Sequence, residues 1–228
     1  MSLDDALGLE LRFRREARDD ADTWARALTS IAAWNAALRP VNALRLNDPD
    51  QQCIPWTPAV ADAIIRACAA GGPAGWMLNG PDDGPGAIKL HIGGDEVQIS
   101  LALPRPGRSL PDALRDLLYS LNGHRHLAVA MAFDLNDRAD AELVLQGLHG
   151  IDRIAPLVYL DEAAIRCAGG RQHVLAAPCV VGPAPGGLLL EVEADPWRAH
   201  RDARLQRAAA VARYLGIRPG NPLVLVET

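Results

Sequence analysis

Gly186–Ile217 reads GGLLLEVEADPWRAHRDARLQRAAAVARYLGI, and its reading decides the fold. The pair Gly186-Gly187 releases a strand, Leu188–Val192, that is apolar along its length, with Glu191 and Glu193 near its exit. A strand without a polar face is buried on both sides or lies in mid-sheet. Asp195 is placed to act as an N-cap, its carboxylate accepting from free helix N–H groups, and Pro196 suits the first helical position. Leu205, Ala208, Ala212 and Leu215 then recur on one helical face. Gly216 suits the residue just past the helix end.

Working backward, Gly182–Gly187 (GPAPGG) superficially resembles a phosphate loop. Such a loop passes from a strand to a helix N-terminus, where N–H groups point at the anion. Here the glycines enter a strand and no Lys-Ser/Thr follows, so a hairpin joining His173–Val181 to Leu188–Val192 is the better reading. Before it, Ile154–Leu160 reads as a strand and Asp161–Cys167 as helical turns. Leu110, Leu114, Leu117, Leu118 and Leu121 form an amphipathic stripe that Ser109 and Asp112 cap, and Leu127–Phe133 is a further strand. A short helix is predicted over Ala139–Leu148.

Nearer the N-terminus, Ala87–Ile92 and Glu96–Leu103 flank Gly93-Gly94-Asp95 as a hairpin. Its apolar set (Ile88, Leu90, Ile92, Val97, Ile99) opposes Lys89, His91, Gln98 and Ser100. Thr57-Pro58 opens a helix bearing Ile64, Ile65 and Cys68 that Gly71-Gly72-Pro73 ends. A longer helix is predicted from about Glu16 to Leu38, with Trp24, Leu28, Ile31 and Leu38 inward and Trp34 to one side. Leu9–Phe13 alternates as a strand, and Leu223–Val226 reads as a terminal edge strand. Hairpins outnumber crossovers, so the expected fold is α+β: a mainly antiparallel sheet with helices packed on it. Each half runs helix then strands, a hint of duplication without a residue-level repeat. The expectation is one α+β domain over 1–228 with a subdomain seam near 104–109.

With 228 residues, 49% hydrophobic, the chain can bury a core. The net charge of −5 is segmented. Residues 1–81 carry ten acidic and eight basic groups, 82–162 thirteen and seven, and 163–228 five and eight. An acidic protein is a poor direct ligand for nucleic acid, whereas its acidic middle suits a basic partner. Cys53, Cys68, Cys167 and Cys179 lack CxxC spacing and read as free thiols. No signal peptide or membrane-length apolar run is seen, which points to a cytoplasmic protein with no membrane partner.

Catalytic chemistry is weakly indicated. His124 and His126, two apart, permit a shared metal, but no further ligands follow at suitable spacing, so no metal is expected. The alternative is a polar helix–strand corner. Asp134, Asp137, Asp140, Glu142, Asp161 and Glu162 are better read as caps and surface than as an acid/base pair. Ser100, Ser109 and Ser120 stand in no nucleophile motif, and neither does Cys167. A non-enzymatic protein without a cofactor is expected.

The order of elements resembles the immunity protein 52 family of bacterial polymorphic toxin systems. The resemblance rests on Phe13-Arg14-Arg15-Glu16-Ala17 before a helix bearing Trp24 and Leu28. It continues through Leu110–Leu121, Leu127–Phe133 and Leu157-Val158-Tyr159-Leu160-Asp161, and closes on Gly186–Leu215. Where the family often has Trp-Asp-Pro, this chain has Gly123-His124-Arg125. The resemblance implies an antidote that binds a cognate protein toxin, often a nuclease. A structural or adaptor component of a secretion or phage-like assembly is the alternative. For a nuclease, carboxylates mimicking nucleic acid would form the contact, and the candidates are Asp82, Asp83, Asp134, Asp137, Asp140 and Glu142. The oligomeric state is left open.

Overall fold

The computed structural model describes residues 6–15, 20–35, 38–46, 52–71, 73–79, 86–93, 96–122, 127–136, 150–218 and 222–223. In chain order its elements begin with β1 (Ala6–Arg14), α1 (Ala21–Trp34), β2 (Asn42–Arg45), β3 (Ile54–Pro55) and α2 (Pro58–Ala70). Next come β4 (Ala74–Leu78), β5 (Ile88–Ile92), β6 (Glu96–Pro104), α3 (Leu110–Asn122) and β7 (Leu127–Asp134). The chain continues with β8 (Leu157–Asp161), α4 (Glu162–Cys167), α5 (Arg171–Leu175), β9 (Val180–Ala184), β10 (Gly187–Glu191) and α6 (Arg201–Tyr214).

The ten strands form one antiparallel sheet in the order β3-β2-β4-β5-β6-β1-β7-β8-β10-β9, so the fold is α+β with helices on the sheet. The first strand lies at its centre. It pairs with β6 from Ala6↔Pro104 to Arg14↔Glu96, and with β7 from Leu7↔Asp134 to Phe13↔Leu127. Strand β6 ends at Pro104 and β7 begins at Leu127, and both pair with β1.

Side chains alternate across the sheet and divide the apolar residues between its two faces. Leu7, Leu9, Leu11 and Phe13 face the layer of α1, α2 and α3, where Trp24, Ile31, Ile64, Leu114 and Leu117 complete one core. Phe13 meets Trp24 edge-on at 5.4 Å. On the opposite face, Val129, Met131, Val158, Leu160, Leu188 and Leu190 pack against Ile165, Val174 and Val211 of α4, α5 and α6, and against Leu215 just past α6. Strand β10 serves both cores, Leu189 on one side and Leu188 and Leu190 on the other. Its unbroken apolar run is thereby explained.

Several local signals hold. The Thr57 side chain accepts from Val60 N at the start of α2, Pro58 opens the helix, and Gly71 ends it at φ 73°. Asp112 N donates to Ser109 Oγ at the head of α3, and all five leucines of the α3 stripe are buried. Trp34 lies to one side of its stripe and donates its Nε1 hydrogen to Ala113 O of α3 at 3.0 Å.

Others need correction. The first helix is shorter than predicted: Asp20 caps it and Asn35 ends it, while Leu38 lies beyond in a single tight turn. Residues 173–175 of the expected strand His173–Val181 belong instead to α5. Gly169 and Gly170, at φ 97° and 92°, turn the chain sharply into it, so the strand begins only at Val180. Likewise β8 starts at Leu157, not Ile154. Of the expected terminal strand, Leu223 makes one antiparallel bridge to Ile151, and 224–228 lie outside the described residues, as does the helix expected over 139–148.

The largest correction concerns Asp195. It does not cap α6, which begins at Arg201 after His200. The backbone carbonyl of Asp195 accepts from Arg198 N and Ala199 N, closing a separate turn through Pro196. The buried side of α6 includes Arg204 and Val211, with Ala208 and Ala212 half-buried beside them, and Leu215 just past the helix is buried too.

Both sheet edges carry proline. Edge strand β3 contains Pro55 and edge strand β9 contains Pro183. A two-residue turn, Pro185-Gly186, joins β9 to β10. Since Ala184↔Gly187 closes that turn, Pro183 occupies the position whose amide would face the open edge, and it has no N–H to offer. Strand addition at this edge is therefore blocked at one of its donor positions.

Candidate interaction surface

The expected toxin-contacting carboxylates belong to two segments. Asp82 and Asp83 fall in one, and Asp134, Asp137, Asp140 and Glu142 in the other. Of these six, Asp134 is described, and the other five lie outside the described residues. Asp134 ends β7 opposite Leu7 and is half-buried, its Oδ1 accepting from Asn136 N at 3.0 Å.

The stub of the other segment lies at the same end of the sheet. Gly86 N donates to Ala102 O near the end of β6 at 2.6 Å, just before β5 begins at Ile88. Between the start of β5 and the end of β7 run only β6 and β1. Three strand spacings amount to about 14 Å. The sheet thus brings the anchors of both acidic segments to one end.

Asn79 ties the first of these segments at its base. It is the one non-glycine residue with positive φ (69°) among those described. Its Nδ2 donates to Gly86 O at 2.7 Å, and its Oδ1 accepts from Val41 N at 2.9 Å. Asparagine suits this left-handed position better than most residues. Asn79→Ala should lower unfolding free energy by about 1–3 kcal/mol in urea titration, through a strained backbone and lost hydrogen bonds. Asn79→Gly, relieved of the strain, should lose less. Turn chemistry in the sequence marks the segment, but the partners of this side chain are non-local and could not be read there.

Charges elsewhere serve the frame. On β1, Glu10 is fully buried and Arg12 is 3% exposed. Arg12 Nε donates to Glu10 Oε1 at 2.5 Å, and its Nη1 donates to Gly150 O at 3.0 Å. Burial pushes the Glu10 carboxyl above its ordinary range, and the Arg12 charge and hydrogen bond oppose that shift. Arg14 pairs with Asp161, which also caps α4 by accepting from Ala164 N at 2.7 Å.

Leaving β10, three alternate carboxylates each meet arginine. Glu191 pairs with Arg115 of α3, Glu193 with Arg207 of α6, and Asp195 with Arg105 and Arg198. Arg105 also lies over the Trp197 ring at 4.8 Å. Glu191 is 14% exposed and its partner Arg115 29%, so that pair is screened less than a surface one, whereas Arg207 opposite Glu193 is 46% exposed. The pairs tie both helical layers to one strand exit. The sequence shows the carboxylates but not which arginines reach them.

Burial, with the Glu191 charge, pushes the Cys179 thiol up to about 11, which disfavours the reactive thiolate. No group of three or more His, Cys, Asp or Glu able to hold a metal occurs among the described residues, and His124 and His126 lie outside them. No described helix is long and apolar enough to cross a membrane.

No protein-family model matches the chain, and no curated protein matches it. Among solved structures, its fold is similar to that of the Pseudomonas aeruginosa T6SS protein PA0821. The TM-score is 0.60 at 12% sequence identity, over 98% of this chain and 80% of that one. At that identity the likeness is one of fold.

Proposed function

We propose that this protein is an immunity protein that binds and neutralises a cognate bacterial toxin in the cytoplasm, with a nuclease as the toxin class. The observation that carries this reading is the fold shared with a T6SS protein along 98% of the chain, which supports a secretion-related role. The resemblance to the immunity protein 52 family sharpens that role to inhibition. Tight binding, rather than turnover, is the mode of action. No metal, cofactor or nucleophile is needed for it.

The contact proposed is electrostatic. A nuclease site is built to hold phosphate and is therefore basic. Carboxylates of two segments whose anchors share one end of the sheet would accelerate encounter and occupy that site. Asp82, Asp83, Asp134, Asp137, Asp140 and Glu142 are the proposed contributors. Co-expression with the neighbouring secreted gene tests the function: growth should be rescued and a complex should co-purify, and absence of both rejects it. Lysine at all six carboxylates tests the contact. The association rate should fall about tenfold or more at low salt, with a weaker salt dependence. Undiminished neutralisation and an unchanged rate would remove the mimicry while leaving inhibition in place.

A further inference from the structure

We draw no further inference here: the strongest candidate, the apolar groove between α1 and α2 over Leu78, Ile88 and Ile99, is open to solvent, and nothing in the structure shows what covers it.

Discussion

Arg12→Met should destabilise the protein by about 3–5 kcal/mol at neutral pH, more than any surface charge removed singly. The reason lies in where Arg12 sits. It stands on the central strand between β6 and β7, almost fully buried, and its guanidinium donates to the Glu10 carboxylate and to the Gly150 carbonyl. Methionine fills much of the volume but leaves a buried carboxylate without its countercharge. Glu10→Gln/Arg12→Met should recover much of that loss, since a neutral pair has no charge to desolvate. A double-mutant cycle in urea isolates the coupling. If Arg12→Met alone unfolded at the parent's midpoint, the ion pair would have no role in holding the centre of the sheet.

The same pair makes a pH prediction. Burial raises the folded-state pKa of Glu10 above its ordinary value of 4.5. A carboxyl raised on folding stabilises the protein fully below its unfolded pKa, and that contribution is lost as pH rises through the folded value. Stability of the parent, measured relative to Glu10→Gln, should therefore decline from about pH 4.5 upward until Glu10 is ionised. In Arg12→Met the opposing charge is gone, the folded-state pKa rises further, and the decline should extend to higher pH. Urea midpoints across the acid-to-neutral range read both slopes. A parallel course for the parent and Glu10→Gln would refute the assignment.

What the sequence reveals about this fold is mostly local. The α3 stripe, the Thr57-Pro58 cap and the β5–β6 hairpin depend on residues a few positions apart, and periodicity or turn chemistry exposes them. The alternation in Leu9–Phe13 marks a strand, but not that its polar side is buried, because Glu10 and Arg12 look the same whether wet or dry. The place of β1 at the sheet centre depends on pairing with residues far along the chain, as Ala6↔Pro104 and Leu7↔Asp134 show. No local pattern encodes that. Asp195-Pro196 misleads for a related reason. Capping was locally allowed, but Arg105, far along the chain, pairs with the carboxylate and stacks on Trp197, so the turn forms first and α6 starts later. As for the candidate contact, Asp134 was placed by sequence at a strand end, and it stands there. The convergence of the two segment anchors on one sheet end follows from strand order and was not legible.

Gly187→Ala should be the other severe change, costing about 3 kcal/mol and loosening β8 from β10. The two glycines that release β10 have different duties. Gly186, at φ 73°, occupies the second central position of the Pro185-Gly186 turn, where a side chain brings backbone strain of about 1–2 kcal/mol. Gly187 is limited by space instead. A Cβ there would overlap the Leu160 carbonyl oxygen, with the carbonyl carbon at 2.9 Å and Asp161 Cα at 3.0 Å. All three atoms are backbone, so no side chain can swing aside. Relief requires the strands to part at Gly187↔Asp161, where Asp161 also caps α4 and holds Arg14. Gly187→Ala should therefore disturb the cap and the ion pair as well as the ladder. Hydrogen exchange should show lost protection in β8, β10 and the first turn of α4, whereas Gly186→Ala should lose protection only near the turn. Equal and small losses in the two variants would show that β8 and β10 can spread at no cost, and that close approach is not why glycine stands at position 187.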